Sequence, residues 1–160
     1  MTRAGFVPIG IASLAALGVA MLGGTITDLG PWYESLAKPS FNPPRPVFPI
    51  AWTTIFALTA VAGVTAWRAA KDARTSDTVI GLFALNGFLN LLWSLLFFRV
   101  QRPDLAFYEL IVLWLSIALL IVYCSRLSRL AAVMLLPYIV WVTAAGVLNW
   151  EIVRLNAPFG

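Results

Sequence analysis

Seven tryptophans and no histidine bound the chemistry open to this 160-residue chain. Histidine is the commonest metal ligand and the side chain best suited to proton transfer near neutral pH, so no metal centre and no conventional catalytic triad is expected. The single cysteine, Cys124, allows no internal disulfide. What remains is a set of amides, a few carboxylates and many rings. Asn86 and Asn90 are four apart with Trp93 three further on, so a helix places all three on one face. That face can serve interhelical hydrogen bonding or present an amide to a ligand beside an indole. Trp141, Ala145 and Leu148 fall at i, i+4 and i+7, one large ring beside a small residue. Such a face lines a flat cavity, and tight helix packing uses the same residues. Glu109, next to Tyr108, is expected to reach the membrane interface or to pair with an arginine. Asn149 is expected to satisfy carbonyls that Pro137 frees in its own or a neighbouring helix.

The elements that must carry these residues are membrane spans. With 61% hydrophobic and 11% charged residues, the chain has far fewer charges than the roughly 25% of a soluble domain. Its net charge of +4 resides in short clusters between apolar runs, which suits anionic lipid headgroups and gives no reason to invoke nucleic acid. Five runs of about 20 residues are each long enough to cross the hydrocarbon core, at residues 4–24, 47–67, 79–98, 105–124 and 130–150. A cleavable signal peptide competes for the first, with Arg3 as its charged end, but the run is longer than a signal core and four similar runs follow. The short connection between Arg126 and Arg129 forces the fifth span antiparallel to the fourth. Five spans place the termini on opposite sides, with the cap loop 25–46 on the C-terminal side. Basic residues divide six to five between the two sides and assign no orientation. Ala12, Ala16, Ala20 and Gly24 make one face of the first span small, for packing within the bundle or across a dimer.

Between the first two spans, half of the ten prolines fall from Pro31 to Pro46. Each fixes its own φ and pushes its predecessor out of the helical region, so the segment extends neither neighbouring helix and forms a stiff, ordered cap. Trp32, Tyr33, Phe41, Phe48 and Trp52 give it large amphipathic surfaces. These suit a lid over an apolar cavity or a belt at the headgroups.

Taken together, these stretches resemble the TspO/MBR family, which includes translocator proteins (peripheral-type benzodiazepine receptors) and bacterial tryptophan-rich sensory proteins. The resemblance covers nearly the whole chain. It rests on Trp32-Tyr33 with Leu36 and Lys38-Pro39, on Pro43-Pro44 through Phe48 to Trp52, on Asn90 with Trp93 and Phe97-Phe98, and on Pro137-Tyr138 with Trp141 and Leu148-Asn149. Departures are Ser40-Phe41 where many relatives carry tryptophan, Leu95 where proline often stands, and Trp150 in place of the tyrosine of the animal sterol motif, here Val147, Trp150 and Arg154. The resemblance implies an all-α five-helix membrane bundle, commonly dimeric, whose cavity beneath the first loop takes porphyrins, sterols and benzodiazepine-type or isoquinoline ligands. Trp52 and Trp141 match cavity tryptophans linked to light-dependent porphyrin breakdown, Asn90 and Ala145 match ligand-touching positions, and Trp32 matches a lid tryptophan.

The resulting candidate ligand-binding set is Trp32, Phe48, Trp52, Asn90, Trp93, Phe107, Trp141, Ala145 and Leu148, with Trp52 and Trp141 as photochemical candidates. The expected function is a multi-pass membrane receptor, carrier or sensor of bacterial type. Its expected ligand is a protoporphyrin IX-like tetrapyrrole or another flat apolar molecule, its surroundings lipid, and its partner a second copy of the chain. No cofactor is required, and without histidine a metal-free porphyrin is a more natural guest than haem. A porphyrin-degrading enzyme that uses cavity tryptophans as electron donors is the alternative from another class. A structural or regulatory membrane protein with an incidental pocket is the third.

Overall fold

The computed structural model describes residues 7–159. Every regular element among them is helical: α1 (Val7–Ile26), α2 (Pro31–Ser35), α3 (Val47–Ala69), α4 (Ala73–Ser94), a π turn (Leu95–Arg99), α5 (Pro103–Ser125), α6 (Arg129–Met134) and α7 (Leu136–Asn156). Five stretches are long and apolar enough to cross a membrane: Pro8–Ile26, Val47–Ala69, Ala73–Arg99, Pro103–Ser125 and Arg129–Asn156. Arg3 and the start of the expected first span at Ala4 lie outside the described residues.

The element ends depart from the expected spans for local reasons. Asp72 accepts hydrogen bonds from the Thr75 amide (2.8 Å) and hydroxyl (2.9 Å), an N-cap that draws the polar Ala73–Thr78 stretch into α4 ahead of its apolar part. At the other end of α4 the backbone widens: the Val100 amide bonds the Leu95 carbonyl at 2.9 Å, and the helix closes at Gln101 with φ 58°. One extra residue in that turn brings the sequence neighbours Phe97 and Phe98 both into the core, at 3% and 8% exposure. Pro103 then opens α5 as its first residue, where its missing N–H costs nothing. Pro137 interrupts the fifth span. It has no N–H to donate to the i−4 carbonyl, so the helix is broken at Leu135 into α6 and α7. The cap region is not all loop either: an Asp28 turn, with the Gly30 amide donating to its carboxylate at 2.9 Å, leads into Pro31 and the short α2.

Packing is densest between α5 and its neighbours α4 and α7, and between α1 and α3. On α1, Ala12, Ala16 and Ala20 are half-buried, whereas Leu14, Leu17 and Met21 face outward and Gly24 is exposed. Val19, on the same side as the small stripe, approaches Gly87 of α4 closely enough to meet any side chain added there. The side of α1 that carries the alanines therefore turns toward α4, with the alanines themselves half-buried. Three apolar layers follow one another along it: an alanine-rich one around Ala66, Ala131 and Leu135, a middle one around Leu113, Ile117 and Val142, and an aromatic one around Tyr33, Phe97 and Phe98 under the cap.

Candidate ligand-binding site

Under the cap, α3, α7 and the end of α4 converge on a space of about 40 Å³ lined by Tyr33, Phe48, Trp52, Trp93, Phe97, Phe98, Trp141, Ala145, Leu148, Asn149 and Ile152. Its walls are rings meeting edge to face. Phe48 stands against Trp141 at 5.9 Å and 79°, Trp52 against Tyr138 at 6.2 Å and 74°, and Trp93 against Phe98 at 6.0 Å and 87°. Trp52 is also stacked on Phe56 at 5.4 Å. The buried residues of the lining, Tyr33, Phe97, Phe98, Asn149 and Ile152, form the floor and roof. Phe48, Trp52, Trp141, Ala145 and Leu148 are only half-buried. Since α3 and α7 touch sparingly, the side between them is the open one.

Polar bonds fix the frame around these rings. Asn149 accepts from the Trp93 indole N–H at 3.1 Å and donates to the Pro103 carbonyl at 2.8 Å. The expected partner at Pro137 is thus replaced by the carbonyl at the start of α5, because Asn149 faces α5. Asn90 donates to the Tyr138 hydroxyl at 3.1 Å, and Asn86 to Ser116 at 2.9 Å. Burial leaves Asn90 only 4% exposed.

The cap is held at its rim. Asn156, at the last position of α7, bonds both the amide (2.8 Å) and the carbonyl (2.9 Å) of Ala37, which also puts the cap at the C-terminal end of the bundle. Lys38 Nζ donates to the carbonyls of Tyr33 (2.6 Å) and Leu36 (3.0 Å) at the end of α2 and lies 4.6 Å from the centre of the Tyr33 ring. Arg45 and Glu34 form an exposed ion pair, of the kind that contributes little. Burial pushes the Tyr33 phenol above its ordinary range, with Arg45 opposing, so this ring stays neutral over the cavity at neutral pH.

Of the candidate residues, Phe48, Trp52, Trp93, Trp141, Ala145 and Leu148 are brought together around one space. Trp32 stands behind it, edge-on to Phe97 at 6.0 Å, while its neighbour Tyr33 supplies the roof. Asn90 is turned to Tyr138 and is absent from the lining. Phe107 lies elsewhere, stacked obliquely on Trp150 at 5.2 Å in an outward-facing apolar groove between α5 and α7. Its place on the outer side of α5, one position after the fully buried Ala106, is the physical reason. Tyr33, Phe97, Phe98, Asn149 and Ile152 are lining residues that the candidate set omits. Ile152 extends the Trp141, Ala145, Leu148 stripe by four residues and falls beyond the expected end of the span. The paired inward phenylalanines depend on the π turn, which has no signature in the sequence. Asn156 looks like any polar helix end. Glu109, expected at the interface or paired with arginine, is instead buried at 9% exposure, because its side of α5 faces α4 and α7 rather than lipid.

Comparison with known proteins identifies the family of the chain. The TspO/MBR family profile matches residues 11–155. The chain is 39% identical over 146 residues to the tryptophan-rich protein TspO of Chlorobaculum tepidum, covering 88% of this chain and 90% of that protein. It is 37% identical over 143 residues to the tryptophan-rich sensory protein of Cereibacter sphaeroides, covering 89% and 88%. The translocator protein of Bos taurus is 29% identical over 126 residues, covering 78% and 75%. A five-span bundle with a proline-rich cap pinned over a tryptophan-lined space is thus found in a chain that belongs to the TspO/MBR family.

Proposed function

We propose that this chain is a membrane receptor or sensor that takes a flat aromatic ligand of the porphyrin class between α3 and α7, beneath the cap. The observation that carries the reading is the convergence of Phe48, Trp52, Trp93 and Trp141 on one space beside the small Ala145. Indole and phenyl faces stack on a planar ring, and Ala145 leaves room next to Trp141. At about 40 Å³ the space is too small for such a ligand as it stands, since ligand sites run from roughly 300 Å³ upward. Binding therefore requires the half-buried rings of α3 and α7 to swing outward and the cap to lift from its rim clasps. The names of the relatives, sensory protein and translocator protein, accord with a ligand-responsive role. A second copy of the chain and the surrounding lipid complete the proposed assembly.

One observation favours photo-oxidative degradation as a second reading. Trp52 stands edge-on to Tyr138, a pair of oxidisable rings through which an electron lost to an excited porphyrin could be replaced. Light separates the two. With protoporphyrin bound, the receptor reading expects its Soret absorbance to fade under illumination no faster than in empty micelles, for wild type, Trp52→Phe and Trp141→Phe alike. Protein-dependent fading that slows in both variants would replace that reading with the enzymatic one.

A further inference from the structure

Glu109 is a carboxylate with nothing to hold it. It is 9% exposed, and neither of its carboxylate oxygens has a hydrogen-bond partner among the described residues. The polar groups in the interior around it carry no positive charge. The Tyr138 hydroxyl of α7 is near enough to feel the charge of Glu109 and accepts from Asn90 of α4, and Asn86 of α4 donates to Ser116 two turns further along α5. The basic groups at this end are engaged elsewhere. Arg99 of the π turn donates to the Thr25 carbonyl, Arg102 grips Asp104 with two bonds, and Arg154 grips Glu151. An ionised carboxylate in such a place, inside a membrane span, is strongly disfavoured. The neutral acid carries no charge to desolvate and leaves only one proton to be satisfied.

We propose that Glu109 is a membrane-embedded proton-binding site, carried as the neutral acid at neutral pH and exchanging one proton with its surroundings. When that proton leaves for water or another base, the negative charge it leaves behind lies beside Tyr138. That ring backs Trp52 at 6.2 Å, so the charge state of Glu109 is felt at the wall of the aromatic space. The inference does not depend on what that space binds.

The test uses the full chain in lipid nanodiscs at neutral pH, treated with the hydrophobic reagent dicyclohexylcarbodiimide. A neutral carboxyl passes its proton to a carbodiimide nitrogen while its oxygen adds to the central carbon; nothing leaves, and rearrangement to the N-acylurea keeps the whole reagent mass. The expected result is one adduct, mapped to Glu109, with Asp28, Glu34, Asp72, Asp77, Asp104 and Glu151 unlabelled, and none in Glu109→Gln. Infrared absorption reads the same proton without a reagent. A protonated-acid carbonyl band should be present in the wild type at neutral pH, shift on isotope labelling of the glutamate carboxyls, and vanish in E109Q. A wild-type spectrum without that band, a band that ignores glutamate labelling, or one that persists in E109Q overturns the proposal, whatever the reagent reaches.

Discussion

The two ends of the bundle are packed with different materials. Away from the cap, Ala62, Ala66, Ala131 and Ala132 meet Cys124, Leu120 and Leu135, nearly all fully buried. Small residues let backbones approach closely, and such contacts have one good arrangement. At the cap end, Trp93, Phe97, Phe98 and Tyr33 meet at 4.7 to 6.5 Å and at steep angles. Edge-to-face and offset ring pairs differ little in energy, so rings on half-buried positions can re-pack around a guest where interlocked alanines cannot. One end is a fixed anchor and the other a small space walled by its own rings.

The largest way to break this contrast is to damage the anchor. Leu120, 1% exposed in the alanine-rich layer, should cost about 2–5 kcal/mol when changed to alanine, through lost contacts and the cavity left behind. The readout is a lower thermal midpoint in detergent with unchanged porphyrin affinity. A loss of affinity in the still-folded variant would mean that the ends are not independent.

A smaller effect is expected from Asn149→Leu, which strands the Trp93 N–H and the Pro103 carbonyl at the boundary between the two regions. With membrane-embedded hydrogen bonds averaging about 0.6 kcal/mol each, roughly 1 kcal/mol of stability should be lost. Unlike Leu120→Ala, this change should also shift tryptophan emission and weaken ligand binding, because Trp93 lines the space. Stability loss with neither of those changes would remove Asn149 from the site.

Much of this division was readable in the residues and some was not. The spans follow from apolar runs bounded by charge, and the α7 side of the space follows from helical spacing that puts Trp141, Ala145 and Leu148 on one stripe. What escaped depends on backbone events with no compositional mark. The π turn after Ser94 decides that Phe97 and Phe98 both point inward. The N-cap at Asp72 makes helix out of a stretch whose charges read as a connection. Asn90 shares a helical face with Trp93, yet whether its amide meets the space or Tyr138 depends on the rotation of α4, and periodicity does not fix that rotation. Glu109 has the same ambiguity: its helix position allows lipid, interface or core, and the tilt of α5 against α4 and α7 selects the core.

The smallest stability effect belongs to the cap. Asn156→Ala removes the two bonds to Ala37, but on this exposed rim water takes their place, so the loss together should stay at about 0.5 kcal/mol, the low end for a hydrogen bond. Amide exchange over residues 32–46 should nevertheless accelerate, and porphyrin should enter and leave faster. Replacing Pro43 and Pro44 with glycine should act in the same direction by loosening the chain itself. Unaltered exchange in both variants would mean that the clasp at Asn156 does not hold the cap.

The central claim is that the cap-end rings enclose a space that opens for a flat ligand, and tryptophan fluorescence tests it most directly. Protoporphyrin titrated in the dark into the purified chain should quench the emission to saturation, as Trp52, Trp93 and Trp141 come to lie against it. Ala145→Phe should weaken that binding about tenfold, since filling a packed space typically costs about 1–3 kcal/mol, while Leu120→Ala should bind as the wild type does. Quenching that never saturates, or an affinity indifferent to Ala145→Phe, would contradict the account.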